Sequence, residues 1–70
     1  MYKLNCVVTF KKDDEYVSAN THVGDYRRVK DMPGRERAIE LLGGIEEIVS
    51  IFSLWANGWE PVTIDFRYTN

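Results

Sequence analysis

The sequence has almost none of the residues that cross-link small domains or hold a metal in them. It contains a single cysteine, Cys6, and a single histidine, His22. One cysteine excludes an internal disulfide, and one cysteine with one histidine cannot build a tetrahedral zinc site from soft ligands. We therefore expect no metal site and no cofactor. Association with another chain is then the natural supplement to the small core of a 70-residue domain.

The sequence also lacks a long apolar run and an N-terminal signal pattern. Its longest apolar candidate, residues 45–59, is interrupted by Glu46, Glu47, Ser50, Ser53 and Asn57. A run of about 18 apolar residues is needed to cross a bilayer. We expect no membrane contact and a cytoplasmic location, and the lone cysteine also fits a reducing compartment.

Three segments alternate between apolar and polar residues, which is typical of strands with one buried face. They cover residues 2–10, 15–23 and 62–68, and the charged stretch 11–14 predicts a hairpin turn between the first two. The residues expected to face the core are Tyr2, Leu4, Cys6, Val8 and Phe10 in the first segment, Val17, Ala19, Thr21 and Val23 in the second, and Val62, Ile64, Phe66 and Tyr68 in the third.

Residues 35–56 instead repeat apolar positions every three or four residues, which predicts a helix. The stripe expected to be buried is Ala38, Leu41, Leu42, Ile45, Ile48, Val49, Phe52 and Trp55. Asn57 and Gly58 then form a good helix stop. Two points stay open: Gly43 and Gly44 either leave the helix whole or kink or split it, and residues 26–30 form either a short edge strand or a loop.

Together these elements predict one α+β domain, residues 1–70, with the order β-β-α-β. A right-handed crossover places the last strand beside the first, so we expect an antiparallel three-stranded sheet in the order two-one-last. One long helix would pack on one face of this sheet. The opposite face would be mostly polar.

No arrangement of catalytic residues emerges from this fold. Cys6, on the first strand, is expected to face the core, whereas His22, on the second strand, is expected on its polar side. The two side chains therefore do not meet as a nucleophile and its base. The glycines match neither a dinucleotide-binding nor a phosphate-binding motif. We expect that the protein is not an enzyme, with no catalytic residues and no small-molecule substrate.

The helical segment carries more large apolar residues than one buried stripe requires. Ile51 and Leu54 lie off the stripe, Trp55 lies at its flank, and Trp59 follows the helix end. A cluster of such side chains on a small domain is typical of a protein-contact surface if it is exposed. We predict that Ile51, Leu54, Trp55 and Trp59 bind a partner protein. The alternative is that the segment 24–34 folds over them, or that a kink at the glycines redirects them.

Basic residues are concentrated in one short segment. Arg27, Arg28, Lys30, Arg35 and Arg37 account for five of the nine lysines and arginines. Such a cluster is able to contact a phosphate backbone, although the net charge is −2 and no nucleic-acid-binding motif is present. Nucleic-acid binding through these residues is therefore the alternative function.

The sequence thus favours a small, non-catalytic protein-interaction module. We expect it to self-associate, as a homodimer, and to bind or cover a surface of a larger partner protein. Neither the partner nor the biological role follows from the residues.

Overall fold

Three strands form one antiparallel sheet in the computed structural model, which describes residues 1–69. The strands are β1 (Tyr2–Lys12), β2 (Glu15–Tyr26) and β3 (Glu60–Thr69). Their order in the sheet is β2-β1-β3, so the predicted antiparallel sheet with the first strand at its centre is confirmed.

A two-residue turn at Asp13 and Asp14 joins β1 to β2 and sets the register between them. Asp13 has a positive φ of 55°, which a short-side-chain acid tolerates better than most residues. Lys12 and Glu15 face each other directly across the turn. In such a hairpin this flanking pair is hydrogen-bonded, and bonded and non-bonded pairs alternate from there along the ladder.

The helical layer is broken into short pieces, so the predicted single long helix over residues 35–56 is wrong. It consists of α1 (Arg35–Leu41), α2 (Ile45–Ile51) and a 3₁₀ segment, Ser53–Asn57. Gly43 and Gly44 between the helices have φ of 96° and 103°, values that stop an α-helix. Phe52 is extended and ends α2. The predicted stop at Gly58 is confirmed by its left-handed conformation.

The connection between β2 and α1 contains no edge strand, which was one of the two alternatives predicted for residues 26–30. Residues 26–30 do not form an edge strand, because β2 runs on to Tyr26 and a 3₁₀ turn, Val29–Asp31, follows. Helix α1 begins after Gly34, whose backbone is extended.

The core lies between β1 and the helical layer. Its fully buried side chains are Cys6, Val8 and Phe10 of β1 and Ile48 of α2. Phe52 packs edge-on against Phe10, with ring centroids 5.9 Å apart. The inward alternation predicted for β1 is therefore confirmed at these positions.

Several residues expected in the core are exposed instead. Leu41 and Ile45 flank the glycine break, which turns them away from the sheet, and Trp55 lies beyond the end of α2. Val62 is exposed because the register between β1 and β3 shifts at Thr9 and Phe10. In the part of the chain that the structure describes, no helix has the length and apolar character needed to span a membrane.

Candidate partner-binding surface

An apolar groove lies between α2, the 3₁₀ segment Ser53–Asn57 and the start of β3. It has a volume of about 440 Å³ and is open to solvent. Its lining residues are Ile45, Glu46, Val49, Ser50, Trp55 and Pro61. Ile45 and Trp55 are 54% and 53% exposed, so large apolar side chains are available to a second molecule at this place.

The four residues predicted to bind a partner do not form one exposed cluster. Leu54 and Trp59 are half-buried and pack against the core, although Leu54 lies off the stripe that was expected to be buried. Trp55, between them, is exposed and lines the groove. Ile51 is exposed as well, but it is not part of the groove lining. At 100° per residue, it lies on the side of α2 away from Ser50 and Glu46.

The backbone segment that carries the exposed Trp55 is held in place by the residues around it. Leu54 and Trp59 anchor the 3₁₀ segment to the core on both sides of Trp55, and the Trp59 amide donates to the Leu54 carbonyl at 3.2 Å. Lys12 Nζ donates to the Asn57 carbonyl at 2.9 Å, which ties the same segment to the end of β1. A backbone that is already held in this way loses less conformational entropy when a partner binds than a free loop does.

Sequence reasoning missed Ile45, Val49 and Pro61 as members of this surface. Ile45 and Val49 had been expected in the buried stripe of a continuous helix. A glycine pair before an apolar helix is the signal for the break, but it does not indicate the direction in which the second helix continues. Pro61 reaches the groove through its place on an edge strand opposite Phe10.

The groove lies in a strongly acidic part of the chain. Residues 38–66 contain no lysine or arginine, while their acidic side chains are Glu40, Glu46, Glu47, Glu60 and Asp65. Glu46 lines the groove, whereas Glu60 is the cross-strand partner of Lys11 on β1. The lining is therefore mostly apolar and carries one carboxylate, that of Glu46.

The basic cluster at 27–37 is exposed but largely occupied by contacts within the chain. Arg28 pairs with Asp31 at 3.1 Å and Arg37 pairs with Glu40 at 2.9 Å. Arg35 donates a hydrogen bond to the Ile64 carbonyl on β3. Only Arg27 and Lys30 of the cluster have no such contact among residues 1–69.

Cys6 and His22 lie on opposite faces of the sheet. Cys6 is buried against the helical layer, and this burial raises the pKa of its thiol above the ordinary value of 9.0, while Arg35 lowers it and Asp65 raises it to smaller extents. His22 pairs with Asp25 at 2.9 Å on the exposed face. Within residues 1–69, no three histidine, cysteine or acidic side chains are grouped closely enough to hold a metal ion.

No protein-family model matches the chain, and neither a curated protein nor a solved structure matches it. The residues and geometry of the chain itself are therefore the basis for a functional proposal.

Proposed function

We propose that this chain is a small, non-catalytic protein-interaction module that self-associates and acts by binding or covering a surface of a larger partner protein. The observation that carries the proposal is the groove beside Trp55, with exposed apolar side chains on a short, anchored segment. Aromatic anchors of this kind dominate the energetics of many protein interfaces.

The rim of the groove favours a particular chemistry in the partner. A segment that inserts an apolar side chain beside Ile45 and Trp55 also meets Glu46. A lysine or arginine on the partner satisfies this carboxylate and improves the rate of encounter. The proposed partner surface is thus apolar with a flanking basic residue.

A non-catalytic role in the cytoplasm fits the remaining observations. The only thiol is buried, and burial raises its pKa, so it is a poor nucleophile at neutral pH. A buried free cysteine also fits a reducing compartment.

The groove predicts a sharp difference between two isoleucines of α2. Ile45 and Ile51 are similarly exposed, at 54% and 50%, but only Ile45 lines the groove. We expect Ile45→Lys to weaken partner binding by about tenfold or more, because a charge enters an apolar contact. Ile51→Lys is the matched control and should bind like the unmodified chain.

The measurement begins with capture of host proteins on the immobilised chain and both variants, quantified by mass spectrometry. Binding of the best-retained protein is then measured with purified components. A partner that discriminates against Ile45→Lys alone supports the groove. A partner lost equally with both variants, or with neither, contradicts its assignment as the binding surface.

A further inference from the structure

The two edges of the sheet differ in how they are protected against pairing with another strand. On β3, Pro61 lacks an amide hydrogen, Val62 interrupts the ladder, and Arg35 donates to the outward carbonyl of Ile64. Proline, bulges and charged side chains are the devices by which natural sheets prevent edge-to-edge association.

The β2 edge has none of these devices along most of its length. Residues 16–24 contain no aspartate, glutamate, lysine, arginine or proline. Among the described residues, β2 pairs with β1 alone. Its ladder with β1 is regular from Glu15 to His22, and the shift in register comes only after His22. A long, uncharged and regular edge strand is a template for a further strand.

The hairpin identifies which backbone groups are free on this edge. Because Lys12 and Glu15 form the bonded pair at the turn, Val17, Ala19 and Thr21 direct their backbone groups towards β1. The intervening residues Tyr16, Ser18, Asn20 and His22 therefore direct theirs outward. Thr9 Oγ1 and Ser18 Oγ lie within hydrogen-bond distance, 3.2 Å apart. Such close side chains are expected for a cross-strand pair whose backbones are not hydrogen-bonded to each other.

Exposed side chains accompany these free backbone groups. Tyr16 is 62% exposed, and Val17 is 37% exposed although it faces the helical side of the sheet. The helical layer packs mainly over β1, so the outer part of β2 is only partly covered. A neighbouring strand would bury this apolar surface together with the backbone groups.

We infer that a second copy of this chain pairs antiparallel with β2 along this edge, about a two-fold axis at Ala19. The inference deepens the self-association part of the proposed function and rests on it. Ala19 is the midpoint of the uncharged, regular stretch 16–22. The dimer is a continuous six-stranded sheet with both helical layers on the same face.

With the axis at Ala19, the residues of this stretch in one copy are matched with compatible residues of the second copy. Ser18 lies opposite Asn20 of the second copy, and Val17 lies opposite Thr21. Tyr16 lies opposite His22, and Ala19 faces itself. No like charges meet within the stretch.

Asn20 is the position at which the pairing is tested. Asn20→Lys introduces two positive charges close to the axis, and Asn20→Pro removes an outward amide without touching the β1 ladder. We expect both variants to fold and to raise the dimer dissociation constant by about tenfold or more, measured by sedimentation at several concentrations. Thr63→Lys places the same charge on the β3 edge and should dimerise like the unmodified chain.

A cross-link tests the register without depending on those variants. Ala19 faces itself as a non-bonded pair, whose Cα atoms lie about 4.5 Å apart, within the range that a disulfide spans. We expect Ala19→Cys to form a covalent dimer under mild oxidation, and Thr63→Cys to remain monomeric on a non-reducing gel.

The outcomes separate this inference from the groove. A monomeric unmodified chain, a dimer unaffected by both Asn20 variants, or a dimer lost with Thr63→Lys overturns pairing through β2. Absence of the Ala19→Cys cross-link overturns the register. Ile45→Lys should dimerise normally, because the groove lies on the β3 side of the sheet. Failure of the groove therefore leaves the dimer intact, and the reverse also holds.

Discussion

Burial in the fold alters the protonation of Cys6. Its side chain is fully buried in the central strand, and desolvation raises the pKa of the thiol above 9.0. The folded state therefore holds the thiol proton more tightly than the unfolded state does. The stability linked to this proton is fully present below about pH 9, and it is lost as the pH rises through the folded-state pKa.

This linkage predicts that the chain loses stability at alkaline pH partly through Cys6. Comparison of urea unfolding at pH 7 and pH 10 should show a larger loss of unfolding free energy for the unmodified chain than for Cys6→Ala. The two proteins differ only at residue 6, so the contributions of all other groups cancel in the comparison. An equal loss in the two proteins would show that the buried thiol does not contribute.

Residue-level prediction succeeded where the neighbours are local in sequence. The alternation of β1 correctly assigned Cys6, Val8 and Phe10 to the core. Leu54 and Trp55 were harder, because their directions depend on the backbone at Gly44 and Phe52. Helical spacing describes the direction of a side chain only while the helix continues, and here it does not.

At the scale of elements, the junction between α1 and α2 decides which apolar residues reach the surface. Gly44 immediately precedes α2 with φ of 103° and ψ of 170°, a region that is essentially restricted to glycine. The turn exposes Leu41 and Ile45 and leaves Ala38 and Ile48 buried. The glycine conformation is therefore a condition for the groove.

Serine substitutions at two helix starts test this role. Gly44→Ser should lower the unfolding free energy by about 1–3 kcal/mol, because a Cβ is strained at that φ even though no atom lies within 4 Å of it. Gly34 precedes α1 with an ordinary φ of −71° and open space around it, so Gly34→Ser should be neutral or stabilising by a few tenths of a kcal/mol through capping.

Chemical denaturation of both serine variants provides the measurement. Equal effects at the two positions would show that the backbone strain at Gly44 is relieved by rearrangement of the junction.

The strands were predictable and the helical layer only partly so, for a physical reason. A strand's alternation reports one buried face directly, and the sheet order followed from the handedness of the crossover. The split of the helix was an open alternative, since Gly43 and Gly44 indicate a break without its angle. The bulge at Val62 has no comparable sequence signal.

Across the whole molecule, opposite charges are separated along the chain. The basic cluster lies at residues 27–37, whereas residues 38–66 carry acidic charges only. This separation places an acidic residue, Glu46, and no basic residue in the groove lining. It also limits nucleic-acid binding, the alternative function, because the acidic region repels phosphate and most of the basic cluster is paired.

We expect at most weak binding of duplex or single-stranded DNA. Arg27 and Lys30 are the cluster residues without internal contacts. Each phosphate contact contributes about −0.9 to the slope of the logarithm of the binding constant against the logarithm of the salt concentration, so this slope should be no steeper than about −2. Fluorescence anisotropy of labelled DNA at several salt concentrations measures this slope.

Replacing both Arg27 and Lys30 by alanine should abolish the residual binding. Lys3→Ala with Lys11→Ala changes the net charge equally but lies outside the cluster, so this variant should retain it. A slope of −4 or steeper would require phosphate contacts by nearly all five basic residues and would favour the nucleic-acid function instead.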